Sequence, residues 1–251
     1  MERNDYIFGI RAVIEAIEAG KEIDKILIKK DLQGDLANEL LALVKENRIV
    51  NQRVPIERIN KITRKNHQGV VAILSAVTYH SLDNLVPQLY EDGVLPFVVV
   101  LDGITDVRNF GAIARTAECC GADAIVIPER GSVSVGGDAI KTSAGALHHI
   151  PVCREHSVLG AVKFLKNNGY NIVAASEKAT ISYTQGDYTV PTALVMGAED
   201  VGISPEVLRL CDTMVSIPMF GNIGSLNVSV AAGVMMYEVV RQRLNSEMEV
   251  Q

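Results

Sequence analysis

Tryptophan is absent from this 251-residue chain, and aromatic residues make up only 5% of it. Stacking on aromatic faces, the usual grip on single-stranded bases, is therefore a weak resource here. No apolar run approaches the roughly 20 residues of a membrane-spanning helix. The N-terminus, MERNDYIFGI, is charged where a signal peptide would be apolar. A soluble, cytoplasmic protein is expected. The four cysteines, Cys119, Cys120, Cys153 and Cys211, form no C-x-x-C pair, and neighbours such as Cys119 and Cys120 almost never bridge each other. They read as buried, reduced thiols rather than a zinc site or a disulfide framework. The five histidines lack metal spacing: His148 and His149 are adjacent, and His67, His80 and His156 stand apart, so no metal is expected. A G-x-G-x-x-G fingerprint is missing after the first buried strand. The stretch GGDAIKTSAG, from Gly136, has Ile140 where a P-loop needs glycine before Lys141 and Thr142. These absences exclude an ordinary dehydrogenase and a P-loop nucleotide hydrolase.

What is present is an ordinary globular composition, 48% hydrophobic and 22% charged, with a net charge of -6. The charge is uneven. Residues 1–74 hold 13 Lys+Arg against 11 Asp+Glu, whereas the remainder holds 11 against 19. Within the first part, residues 51–65 carry Arg53, Arg58, Lys61, Arg64 and Lys65 against Glu57 alone. Such a local basic patch suits phosphate contacts even on an acidic protein.

The first part alternates short helices and strands. Helical spacing covers 10–19 and 35–45, and another helix opens at Pro55; strands are expected at 25–29 (KILIK), 49–54 and 70–74. That is a small α/β sandwich spanning 1–74. Residues 75–95 mix polar, proline and glycine residues and read as a linker. From 96 to 245, continuous apolar runs at 97–101 (FVVVL), 124–127, 172–175, 193–196 and 214–217 read as strands buried on both faces. Helical segments at 109–120, 139–146, 157–168, 205–211 and about 225–244 separate or follow them. The alternation predicts an open, mostly parallel sheet with helices on both sides, and such sheets hold ligands beyond the carboxyl ends of their strands.

Three segments at such ends are dense in glycine, asparagine, serine and charge. LDGITDVRNFGAIARTAECCGA (101–122) leaves a strand and enters a helix near Asn109, with Arg115 about two turns in. LVMGAEDVGISPEVL (194–208) brackets Glu199 and Asp200 between Gly197 and Gly202. IPMFGNIGSLNVSVAAG (217–233) runs into a helix of small residues, with Ser225 and Asn227 at its start.

In this order, the three segments resemble the motifs of the SpoU/TrmH (SPOUT) class of RNA ribose 2'-O-methyltransferases, most of all the branch acting on a guanosine of large-subunit ribosomal RNA. The likeness extends to a small RNA-binding domain ending in an HQG segment, here His67, Gln68 and Gly69. It implies a trefoil knot in the catalytic domain, which strand spacing alone does not predict because knots are nearly absent from proteins. It implies S-adenosylmethionine bound near Ala175, Ser176, Met196, Gly197, Gly202, Ile217, Met219, Ser225 and Leu226. It also implies a homodimer through the catalytic domain. Arg115 matches the family's central catalytic residue and Asn109 the residue orienting it, while Glu199, Ser225 and Asn227 match polar residues of the site. Departures from the pattern are Val107 and Arg108, where proline and histidine are usual, and Phe110, where leucine is common.

Ribose methylation aligns a 2'-hydroxyl with a sulfonium methyl group and removes one proton. A guanidinium is effectively always protonated, so Arg115 fits a phosphate grip better than a base. Two other readings compete: a transfer RNA ribose methyltransferase, and a non-catalytic RNA-binding or ribosome-assembly factor on the same fold.

Overall fold

The computed structural model describes residues 6–249, which divide into two compact units. The first comprises the residues up to Thr78 together with 134–137. Its elements are β1 (Tyr6–Phe8), α1 (Ile10–Glu18), β2 (Ile23–Lys29), α2 (Asp35–Glu46), β3 (Asn51–Val54), α3 (Ile56–Asn60) and β4 (Val70–Leu74). The sheet order is β1-β4-β2-β3, with β2 and β3 parallel and the other pairs antiparallel. Both faces are covered, which is why KILIK buries every apolar residue. Ile26 and Ile28 pack with Val13, Ile14 and Ile17 of α1 and Leu40 and Val44 of α2. Leu27 turns the other way onto Val54, Ile59 and Val71.

The second unit begins with β5 (Tyr79–His80), α4 (Leu82–Glu91), β6 (Phe97–Asp102), α5 (Val107–Cys119), β7 (Ala124–Pro128) and α6 (Gly137–Thr142). There follow β8 (Val152–Glu155), α7 (Val158–Asn167), β9 (Asn171–Ala175), β10 (Ile181–Ser182), β11 (Thr192–Gly197), α8 (Pro205–Leu208), β12 (Thr213–Ser216) and α9 (Val228–Glu249). Eight strands form one all-parallel sheet in the order β10-β12-β9-β11-β6-β7-β8-β5. Alternate residues Val98, Val100, Ala193 and Val195 face α4 and α7. Their neighbours Val99 and Leu194 are equally buried, on the side where α5 and α9 pack against one another, α5 on β7 and α9 on β11.

The structure corrects several expectations. The stretch read as a linker contains β5 and α4, because Leu82, Val86 and Leu89 make a buried stripe despite Pro87 inside the helix. The 139–146 helix is a six-residue α6 plus a separate 3₁₀ turn, and the 205–211 helix stops at Leu208. Of the four thiols only Cys153 is buried; Cys119 is exposed, and Cys120 and Cys211 are half-buried. Burial pushes the Cys153 thiol up to about 12.

Candidate active site

The site grows from the carboxyl ends of the four adjacent strands β6, β11, β9 and β12. Asp102 closes β6 beside Gly197 of β11. Its Oδ2 accepts from the amide of Ser204 (2.8 Å) and from the Ser204 hydroxyl (2.7 Å), pinning the far end of the turn that follows β11. A Cβ at Gly197 would lie 2.2 Å from the carbonyl carbon of Gly202, so only glycine permits this closeness. The Gly202 amide donates to the Ala198 carbonyl (2.8 Å), closing the turn that carries Glu199.

Asn109 is not the cap of α5. That role belongs to Asp106, which accepts from the amides of Arg108 (2.7 Å) and Asn109 (3.3 Å) and whose carboxyl is held below its ordinary range by those two bonds. Asn109 instead turns toward the other segments. Its Nδ2 donates to Glu199 Oε1 (3.3 Å), and its Oδ1 accepts from Asn227 Nδ2 (3.0 Å). Asn227 Nδ2 also donates to Glu199 Oε1, and the Val228 amide donates to the same oxygen (3.1 Å). Asn227 is the true cap of α9, accepting from the amide of Ser229 (2.9 Å). Ser225 does not begin that helix; it lies in the loop ahead of it.

One cleft, with about 660 Å³ of free space counted to its open mouth, is lined by Ala175, Ser176, Met196, Gly197, Gly202, Ile217, Met219, Ser225 and Leu226. It also draws on Glu177, Ala198, Glu199, Gly224, Val215, Val228 and Ala231, which the sequence reading had not included as cleft residues, apart from Glu199. Glu177 could have been found as the polar residue directly after Ala175 and Ser176 at a strand end. The lining fits an adenosyl cofactor: apolar side chains from Met196, Ile217, Met219 and Leu226 suit a flat ring, and Ser176, Glu177 and Glu199 supply polar partners.

Arg115 is the residue the structure does not bring into this assembly. It is exposed on α5, makes no hydrogen bond or ion pair among the described residues, and is absent from the cleft lining. Six residues separate it from Asn109, which places the two about a third of a turn apart around the helix.

The sequence model of the SpoU rRNA Methylase family matches residues 96–237, and that of the RNA 2'-O ribose methyltransferase substrate-binding domain matches residues 6–80. A Staphylococcus saprophyticus protein named for the TrmH family of tRNA/rRNA methyltransferases is 40% identical over 237 residues, covering 94% of this chain and 95% of its own. The structure of an AdoMet-bound rRNA methyltransferase from Sinorhizobium meliloti superposes with a TM-score of 0.60 at 26% identity, over 94% of this chain and 87% of that one. A TrmH/SpoU tRNA modifying enzyme from A. aeolicus has a TM-score of 0.55 at 30% identity, over 62% of this chain and 79% of that one. Fold and site together define an RNA 2'-O-methyltransferase with an N-terminal RNA substrate-binding unit. The chain belongs to the SpoU rRNA Methylase family, whose members use S-adenosylmethionine.

Proposed function

We propose that this enzyme methylates a ribose 2'-hydroxyl of a guanosine in large-subunit ribosomal RNA, working in the cytoplasm as a homodimer. The observation that carries the reading is the junction of Asn109, Glu199 and Asn227, three side chains from three separate turns joined at one carboxylate oxygen beside the cleft. The choice of ribosomal RNA is supported by coverage: the likeness to an rRNA methyltransferase runs through both units, while the likeness to a tRNA modifying enzyme covers 62% of the chain. The basic residues of 51–65 hold RNA by its phosphates in the first unit, and the second unit performs transfer.

Bound in the cleft, S-adenosylmethionine supplies an electrophilic methyl group on a sulfonium. Ala175, Ser176, Met196, Gly197, Gly202, Ile217, Met219, Ser225 and Leu226 hold it there. Glu199 engages its three donors through Oε1. Its Oε2 makes no hydrogen bond among the described residues and is available to accept one from the attacking hydroxyl. Asn109 and Asn227 fix the carboxylate's orientation, so little reorganisation remains for the reaction. Arg115, exposed on α5, grips the phosphate next to the target ribose, while the hydroxyl proton passes to Glu199 Oε2 as the oxygen takes the methyl group.

Support for the dimer lies on α9, where Val230, Tyr237 and Leu244 recur every seven residues and are each more than half exposed. A trefoil knot belongs to the same reading. β12 lies near the sheet margin, yet α9 returns to pack on α5 and on the central strand β11. The test is to incubate the protein with labelled S-adenosylmethionine and unmodified ribosomal RNA, with transfer RNA in parallel, and map the ribose that resists alkaline cleavage. A single block at a guanosine of the large-subunit RNA is expected; a block only in transfer RNA, or none, refutes the assignment.

A further inference from the structure

The first unit carries a second cleft, open to solvent. It lies at the carboxyl ends of the parallel pair β2 and β3. Lys29 is the last residue of β2, Ile56 opens α3 just beyond β3, and the turn at 65–69 forms a further wall. In α/β sheets that is where ligands bind.

The 65–69 wall is braced from behind. His67 is buried, its Nδ1 accepts from the Gly69 amide (3.0 Å), and its Nε2 therefore carries the proton donated to Asn60 Oδ1 (2.9 Å). Gln68 Oε1 accepts from the Ile10 amide (3.0 Å), tying the turn to the start of α1. Gly69 sits at φ +81°, and a Cβ there would lie 3.0 Å from Lys29 Cβ, so a side chain at this position is both strained and crowded. These groups are spent on the fold. Others on the cleft are not: the side-chain amides of Gln33 and Asn66 are exposed and make no hydrogen bond among the described residues. Leu32 and Ile56 are half-buried apolar surface between them. Lys65 contributes an exposed ammonium, 5.9 Å from the centre of the Phe8 ring, while Lys29 is paired with Asp31 at 3.1 Å.

We infer that this cleft takes one unpaired nucleotide of the RNA substrate. Its base lies on Leu32 and Ile56, its edge meets the Gln33 and Asn66 amides, and an adjoining phosphate meets Lys65. A carboxamide offers a donor and an acceptor side by side, the pattern a base edge presents. A-form helices hide those edges in a deep, narrow groove, so a site built this way reads an unpaired residue. The inference rests on the reading that the substrate is RNA.

The experiment uses the full chain, an unmodified ribosomal RNA fragment, and nucleotide-resolution chemical probing alongside equilibrium binding. Wild type is expected to protect one unpaired nucleotide besides the methylated one. Gln33→Ala combined with Asn66→Ala removes that protection and weakens binding about tenfold, leaving the salt dependence unchanged. Lys65→Gln lowers the salt slope by about one and Lys65→Arg restores it. Circular-dichroism melts of the full chain report that each variant is folded, and S-adenosylmethionine binding, which belongs to the second unit, stays at the wild-type value. If wild type binds and methylates RNA but the cleft variants match it in affinity and protection, the cleft assignment is wrong while the enzyme reading stands. If wild type neither binds nor methylates any RNA, the underlying reading fails first. Protection of paired residues only would overturn the unpaired-nucleotide claim.

Discussion

The side-chain amide of Asn109 donates to Glu199 Oε1 across 3.3 Å, although the two stand 90 positions apart in the chain. The same oxygen takes Asn227 Nδ2 and the Val228 amide. One carboxylate thus seats the start of α9 and orients two asparagines from different segments.

Capping and chemistry at this junction are separable at Asn227. Asn227→Ala removes the cap of α9 and is expected to cost about 1 kcal/mol of stability as well as most of the activity. Asn227→Asp keeps a capping oxygen but loses the amide that donates to Asn109 and Glu199, and sets a second carboxylate beside the first. It should retain most of the stability lost by the alanine variant and lose activity at least tenfold. Thermal melts and single-turnover methylation measure the two effects; an active Asn227→Asp enzyme contradicts the proposed geometry.

Arg115 offers a test of phosphate grip against a finer role. Arg115→Ala is expected to weaken RNA binding and reduce its salt dependence by about one counterion. Arg115→Lys keeps the charge but loses the forked donors, so affinity should recover while the rate of methyl transfer stays low. Full recovery of rate in the lysine variant would show that charge alone suffices.

At Gly197 the backbone of residues 202–203 comes too near for any side chain. Gly197→Ala is expected to destabilise the second unit by about 3 kcal/mol and to abolish cofactor binding, since relief of the clash moves the Glu199 turn. Calorimetric titration with S-adenosylmethionine, beside a urea melt, would show both losses together.

Arg243 is a structural clamp away from the chemistry. Its guanidinium donates to the carbonyls of Leu95 (2.7 Å), Pro96 (3.0 Å), Tyr188 (3.1 Å) and Val190 (3.2 Å), and its centre lies 5.6 Å from that of the Phe97 ring. Arg243→Ala should lower stability by about 3 kcal/mol, because these carbonyls lose a charged partner, with the urea m-value unchanged. Cofactor affinity should not change; a loss of affinity matching the loss of stability would place Arg243 in the site.

Acid should weaken the fold through two carboxylates. Bonds from Arg241 to both oxygens hold Glu238 below its ordinary range, and the Arg108 and Asn109 amides do the same for Asp106. A lowered folded value means the stabilisation is complete above the unfolded value, about 4, and is lost as pH falls through the folded one. Urea stability measured from pH 6 to pH 3 should therefore decline more steeply in wild type than in a Glu238→Gln, Asp106→Asn double variant. Parallel curves would contradict this.

The central strands were legible because both faces of the second sheet are covered, so FVVVL and its counterparts are apolar without alternation. The edge strands β5 and β10 were not, having two residues each and little to bury. β8 escaped because Arg154 and Glu155 interrupt its apolar start. α4 was obscured by Pro87, whose cost the buried leucines and valine outweigh. In the site, the segments carrying Asn109, Glu199 and Asn227 stood out by composition, but their meeting depends on hydrogen bonds across 28 to 118 residues, which spacing cannot express. The start of α5 lies two residues ahead of Asn109 because Asp106 caps it, and Asp and Asn are equally good capping residue types, so composition alone does not choose between them. Arg115 carried a familiar motif position, yet its environment is set by what packs around α5, not by its neighbours in sequence.

The two-residue strands at either margin of the eight-stranded sheet have a further consequence for assembly. A foreign backbone finds almost no ladder to extend there, so β-addition into larger aggregates is discouraged. Association of copies through the second unit is then left to side chains on its helical surfaces, where a closed pair can be specified and an open-ended fibre avoided.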